Sequence, residues 1–155
     1  MASVLTRQEF VEGKATTLQR YLSEAAAKEF RWGKHDCCTF IGEWARRVTG
    51  QNPADPWKDG YCSEAMADAI LAHGGGLGPV LHRALTAQGW APVTGCAPGD
   101  ISVVNAPTPA GRKLVASIFA GRGRFALVTH HGLVVATLPF FLGWRHPNAR
   151  AHVYG

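Results

Sequence analysis

Cys37 is the residue of this chain best placed to do chemistry. It stands in the stretch Arg31-Trp32-Gly33-Lys34-His35-Asp36-Cys37-Cys38-Thr39-Phe40, directly after Asp36, a residue type that caps helices. A helix start presents partial positive charge and unpaired N–H groups, and both favour the nucleophilic thiolate over the thiol. The chemistry such a thiolate serves is attack on a carbonyl. That reaction also needs a base to take the thiol proton and hand it to the leaving group. Asp36 is read as the cap rather than as an activator, because a carboxylate beside a thiol raises its pKa. The competing reading of Cys37 and Cys38 is that they are small apolar residues buried for packing alone.

The candidate bases are His130 and His131, which follow an apolar run at 125–128. His35 lies only two residues before the thiol, on the wrong side of the cap to reach across a cleft. His73, His82, His146 and His152 have weaker claims. Trp32 is read as a candidate groove-lining residue beside Cys37. Trp144 and Arg145 are read either as a ligand contact of the cation–π kind or as edge packing.

The elements that would position these residues follow from periodicity. Asp36 caps a helix in which Cys37, Ile41, Trp44 and Val48 share one face, widened by Phe40. Arg46 and Arg47 suit its last turn, and Thr49-Gly50 stops it. Upstream, Thr6-Arg7-Gln8-Glu9 has the form of a capping box for a helix running toward Leu22, with a separate alanine-rich piece from Ser23 to Phe30. Downstream, Ser63 caps a helix ending at His73, before Gly74-Gly75-Gly76, and a shorter helix spans about Pro79 to Gln88. The period then changes. Trp90–Val93, Ile101–Val104, Leu114–Phe119, Phe125–Val128 and Leu133–Ala136 read as strands, with Gly121-Arg122-Gly123-Arg124 as a hairpin turn. Phe140-Phe141-Leu142 reads as an apolar loop that a partner could cover. The fold class is therefore α+β in one domain over 1–155, helical over about 5–89 and an antiparallel sheet over about 90–155.

Composition bounds the function. The chain has 155 residues, 46% hydrophobic and 17% charged, enough for one ordinary core. It has no apolar run of about 18 residues, so no membrane span is predicted. Met1-Ala2-Ser3-Val4-Leu5-Thr6-Arg7 lacks a secretory pattern, and synthesis in the cytosol is the expectation. The net charge of +5 comes with scattered basic clusters at Arg112-Lys113, Arg122/Arg124 and Arg145–Arg150. These read as a solvated surface without a nucleic-acid motif, so no nucleic-acid partner is predicted. Cysteines at 37, 38, 62 and 96 form no CxxC pair and are read as free thiols, with no metal site and no cofactor predicted. The glycine run at 74–76 lacks a Gly-Lys-Ser/Thr ending and follows a helix, which excludes a phosphate loop.

Two motifs carry a resemblance. Arg31-Trp32-Gly33 with Asp36-Cys37-Cys38-Thr39-Phe40 resembles the WG…DCSGF signature of NlpC-type cell-wall peptidases, a branch of the papain-like cysteine hydrolases. Pro98-Gly99-Asp100-Ile101 resembles the PGDL that opens their first core strand. The likeness covers roughly Phe30 to Phe125. The chain is more similar still to a family of small phage and prophage tail-region proteins. The matching residues are Trp32, Gly33, His35, Asp36, Cys37, Thr39, Phe40, Thr49, Gly50, Tyr61, Pro98, Gly99, Asp100, Trp144 and Arg145.

The resemblance implies a papain-like fold with Cys37 as nucleophile and with Trp32, His35, Asp36, Trp144 and Arg145 as candidate binding residues. It also implies a place in the virion tail, beside other tail-tip or hub proteins and in reach of peptidoglycan. In the peptidases the next strand opens with the catalytic histidine, and Val115 stands at that position here. The orienting polar residue, which the peptidases carry on the following strand, is missing near Leu127. Two functions follow as expectations. One is a structural or adaptor protein of the tail tip or baseplate with a degraded catalytic site. The other is an active cysteine endopeptidase that opens peptidoglycan during phage entry.

Overall fold

The computed structural model describes residues 17–57 and 60–154. The capping box expected at Thr6–Glu9 lies outside them. The first helix, α1 (Thr17–Ala26), runs through Leu22 and Ser23 without the expected break. Leu18, Tyr21, Leu22 and Ala25 keep one face of it buried, so burial at helical spacing outweighs the weak propensity of a single serine. The next helix, α2 (Cys37–Thr49), has the limits that its cap and stop residues dictate. Asp36 and Thr39 form a reciprocal capping box, and Gly50 closes the helix in the left-handed region at φ 84°.

α2 is tied to α1 in two ways. Tyr21 stacks on Phe40 with centroids 5.4 Å apart. Arg47 grips Glu24 through two hydrogen bonds of 2.9 Å while its guanidinium lies over the Tyr21 ring. Ser63 caps α3 (Glu64–His73), and α4 (Leu77–Thr86) starts two residues before the expected Pro79, after Gly76 at φ 105°.

Six strands follow: β1 (Ala91–Val93), β2 (Ile101–Thr108), β3 (Gly111–Gly121), β4 (Arg124–Thr129), β5 (Gly132–Ala136) and β6 (Phe140–Arg145). They form one antiparallel sheet in the order β1-β6-β2-β3-β4-β5. The fold is thus α+β with a six-stranded antiparallel sheet. The turn at Gly121–Arg124 joins β3 to β4, and it includes Arg122 at φ 55°.

Two elements depart from the expectation. Phe140-Phe141-Leu142 is not a loop: it begins β6, which pairs with β2 on one side and β1 on the other. It carries no polar–apolar alternation to mark it as a strand, because apolar Phe140 and Phe141 lie exposed beside buried Gly143 and Trp144. A short terminal helix, α5 (Ala149–Tyr154), packs against α1 and α2.

Alternation along the strands divides the sheet into two faces. Ile101, Val103, Ala116, Ile118, Ala126, Val128, Val135 and Trp144 join the helices in one core built around Phe40, Ile41, Trp44 and Leu85. Ser102, Val104, Ser117, Phe125 and Leu127 are buried on the other face, where the Ser102 and Ser117 hydroxyls pair at 2.7 Å. Phe125 on β4 stacks on Phe140 on β6 at 6.3 Å. A flat sheet would hold strands three places apart at about 14 Å, so the sheet curls onto itself on this face.

Candidate functional site

Asp36 organises the start of α2. Its carboxylate accepts from the backbone N–H of Cys38 at 3.0 Å, Thr39 at 2.9 Å and Gly33 at 2.8 Å, and from the Tyr61 hydroxyl at 2.6 Å. Gly33 reaches that position at φ 77°, a conformation that favours glycine, which gives the Trp-Gly motif a physical reason. Burial and the bond to Asp36 push the Tyr61 hydroxyl well above the ordinary phenol range, so Tyr61 remains a donor.

With the helix start so fixed, Cys37 is half-buried at the wall of a cavity of about 170 Å³. Phe30, Trp32, Leu71, Leu77, Leu114, Val115, Leu127 and Val128 give the cavity its apolar character. At its rim Lys113 bridges Glu64 at 3.1 Å and Asp68 at 3.0 Å, which joins β3 to α3.

Cys37 and Cys38 both line this cavity. The neighbouring Cys38 thiol does most to hold Cys37 below the ordinary thiol value, with the Ala116 backbone and Lys113 adding to it, while burial and Asp36 oppose the shift. Cys38 moves the other way, because Cys37 and desolvation raise it, and it stays a thiol. Cys38 therefore belongs to the site. Its adjacency to Cys37 was the only sequence signal for it, and adjacency alone does not show which way a side chain turns.

The structure brings together some of the candidate residues and separates others. Trp32 and His130 line the Cys37 cavity. The His130 ring packs against Phe30 at 4.5 Å and Trp32 at 5.6 Å. His131 is exposed in the same two-residue turn between β4 and β5, where its backbone N–H donates to Thr129 Oγ1.

His35 is buried and turned toward α1, with Nε2 3.1 Å from the Ala25 carbonyl oxygen, so it anchors the loop. Trp144 is buried in the main core and donates its indole N–H to His82 Nδ1 at 3.2 Å. Arg145 forks onto buried Asp100, with N···O distances of 2.8–3.2 Å, and also donates to the Gly95 carbonyl. Neither Trp144 nor Arg145 lines the Cys37 cavity.

The Pro-Gly-Asp motif joins this second cluster. Gly99, at φ 92°, would bring a Cβ to 2.6 Å from Val153, and its carbonyl accepts from the Trp44 indole at 2.9 Å. Among the described residues no group of three or more His, Cys, Asp or Glu side chains is arranged to hold a metal ion. Among the same residues no helix is long and apolar enough to cross a membrane.

Fold and site together define an α+β protein with a capped helix that presents paired thiols to an apolar cavity beside an antiparallel sheet. The chain belongs to the family described as "Domain of unknown function (DUF6950)", whose model matches residues 11–143. That match takes in the Cys37 helix, the cavity and the Pro-Gly-Asp turn, and it stops one residue before Trp144. No curated protein matches the chain.

Proposed function

We propose that this chain is a phage or prophage tail-tip or baseplate-associated protein, built on an NlpC-like, papain-like peptidase fold whose catalytic site has degraded to a structural or adaptor role. The observation that carries this reading is the lining of the thiol's cavity. Val115, which stands where the peptidase motifs have the base, and Leu127, near the place of its orienting partner, line the Cys37 cavity. Amide cleavage requires a group that protonates the departing amine, and a valine cannot do so. The tail context is supported by the motif residues shared with tail-region proteins, from Trp32-Gly33 to Trp144-Arg145.

Two measurements test this reading. In purified tails the protein is expected at a fixed low copy number, and recovery only as a free monomer from infected cells would refute the tail assignment. Val115→His is expected to gain Cys37-dependent peptide cleavage over the parent.

A second reading is favoured by His130 lining the same cavity. Turned away from Phe30 and Trp32, its imidazole would serve Cys37 as base in an active cysteine peptidoglycan endopeptidase. Cleavage abolished by both Cys37→Ala and His130→Ala would establish that reading and displace the first.

A further inference from the structure

The Cys37 cavity combines features suited to a leaving group other than an amine. Its volume of about 170 Å³ compares with roughly 150 Å³ for an apolar cavity that takes up a benzene-sized guest. Trp32, Leu71, Leu114, Val115 and Leu127 line it together with Cys37. An amine leaves only after protonation, whereas a thiolate leaves a thioester without a proton donor. The site therefore supplies what thiol–thioester exchange needs: a thiol in the first turn of a capped helix, opening onto an apolar chamber for the acyl chain.

We propose that Cys37 is a self-acylation site that accepts a short apolar acyl group from an acyl thioester and retains it with the chain in this cavity. The inference rests on the reading of the cavity as a site without a general base. In the step, Cys37 gives its proton to solvent and the thiolate attacks the thioester carbonyl carbon. A new carbon–sulfur bond forms to Cys37, the carbon–sulfur bond of the donor breaks, and the donor thiolate departs and takes a proton from solvent. No electrons are exchanged, so no oxidant is needed. Hydrolysis of the product would need a base-activated water; His130 lines the cavity but packs on Phe30 and Trp32, and with it held there the acyl-cysteine persists.

The test incubates the full chain with the hexanoyl thioester of N-acetylcysteamine and reads intact mass and melting temperature. The expected result is a single adduct that hydroxylamine removes, with a raised melting temperature because the chain fills the cavity. The adduct is lost in Cys37→Ala and kept in Cys62→Ser, which removes an exposed thiol. The succinyl thioester, charged at its far end, is expected to react about tenfold more slowly than the hexanoyl one.

Failure to acylate while iodoacetamide still modifies Cys37 overturns the inference. So does an adduct that survives Cys37→Ala, or equal rates with the two donors. Cys37-dependent release of peptides from peptidoglycan in a parallel incubation would instead overturn the underlying reading of the site, which keeps the two failures distinguishable.

Discussion

Asp36 accepts five hydrogen bonds within one buried carboxylate: three backbone amides, the Thr39 hydroxyl at 3.2 Å and the Tyr61 hydroxyl. The cap explains only two of those amides; the others hold the Trp32-Gly33 turn and the loop before α3 against the same point. Asp36→Ala therefore loses about 1 kcal/mol for the cap and roughly 1–3 kcal/mol more for the donors left unpaired. Chemical denaturation should show a loss of about 2–4 kcal/mol in total. Tyr61→Phe removes a single bond and should cost about 1–2 kcal/mol. Cys37 offers a second measurement at this scale. Its alkylation rate should rise with a midpoint below its ordinary value of 9.0, and Cys38→Ala should move that midpoint up. A midpoint unchanged by the loss of Cys38 would show that Cys38 does not set the reactivity of Cys37.

Between α1 and α2 the chain is pinned by His35, whose ring reaches the Ala25 carbonyl. Burial is the main cause that holds its imidazole below the ordinary value of 6.5, and Lys28 adds to it. The unfolded chain then binds a proton that the folded chain refuses between the two values. Stability therefore rises with pH across that window: the contribution is complete above about 6.5 and is lost as pH falls toward the folded value. Melting temperature should drop on acidification below 6.5, and His35→Gln should flatten that dependence relative to the parent. A slope unaltered by the substitution would place the titration elsewhere. The elements were legible where chain chemistry is local. Asp36, Ser63 and Gly50 carry their caps in the sequence, and α2 begins and ends where they dictate. β6 was not legible, because its place depends on pairing with β2 across a shift between Val103 and Val104, a contact made some forty residues away in the chain. The full length of β2 and β3 was hidden for a similar reason. Their ends pair through Asn105, Pro107 and Arg112, which have little strand propensity of their own.

Across the whole molecule two motif clusters divide the work. Trp32-Gly33 and Asp36 build the cavity, while Asp100 and Arg145 clamp the start of β2 to the end of β6, on the far side of the Gly99 turn that seats Trp44 and Val153. Breaking a pair that includes a fully buried carboxylate is costly, and the partial exposure of Arg145 tempers the cost because water can replace it. Arg145→Met should lower stability by about 1–3 kcal/mol and leave Cys37 alkylation unchanged; a change in Cys37 reactivity would show that the clusters are coupled. The sequence placed Trp144 and Arg145 among candidate binding residues because motif position says nothing about direction. In the folded chain their polar atoms are turned to His82, Asp100 and Gly95. Trp32, His130 and Cys37 meet at one cavity because the β4–β5 turn passes over the loop before α2, a closure that spacing along the chain does not encode.

On the proposed reading, Cys37 keeps a nucleophile's setting but is not served by the proton donor that amide cleavage needs. The most direct test of that reading is digestion of purified peptidoglycan by the parent protein and Cys37→Ala side by side, with released stem peptides quantified over time. The expected result is no release above the Cys37→Ala background. Release by the parent that disappears in Cys37→Ala would contradict it.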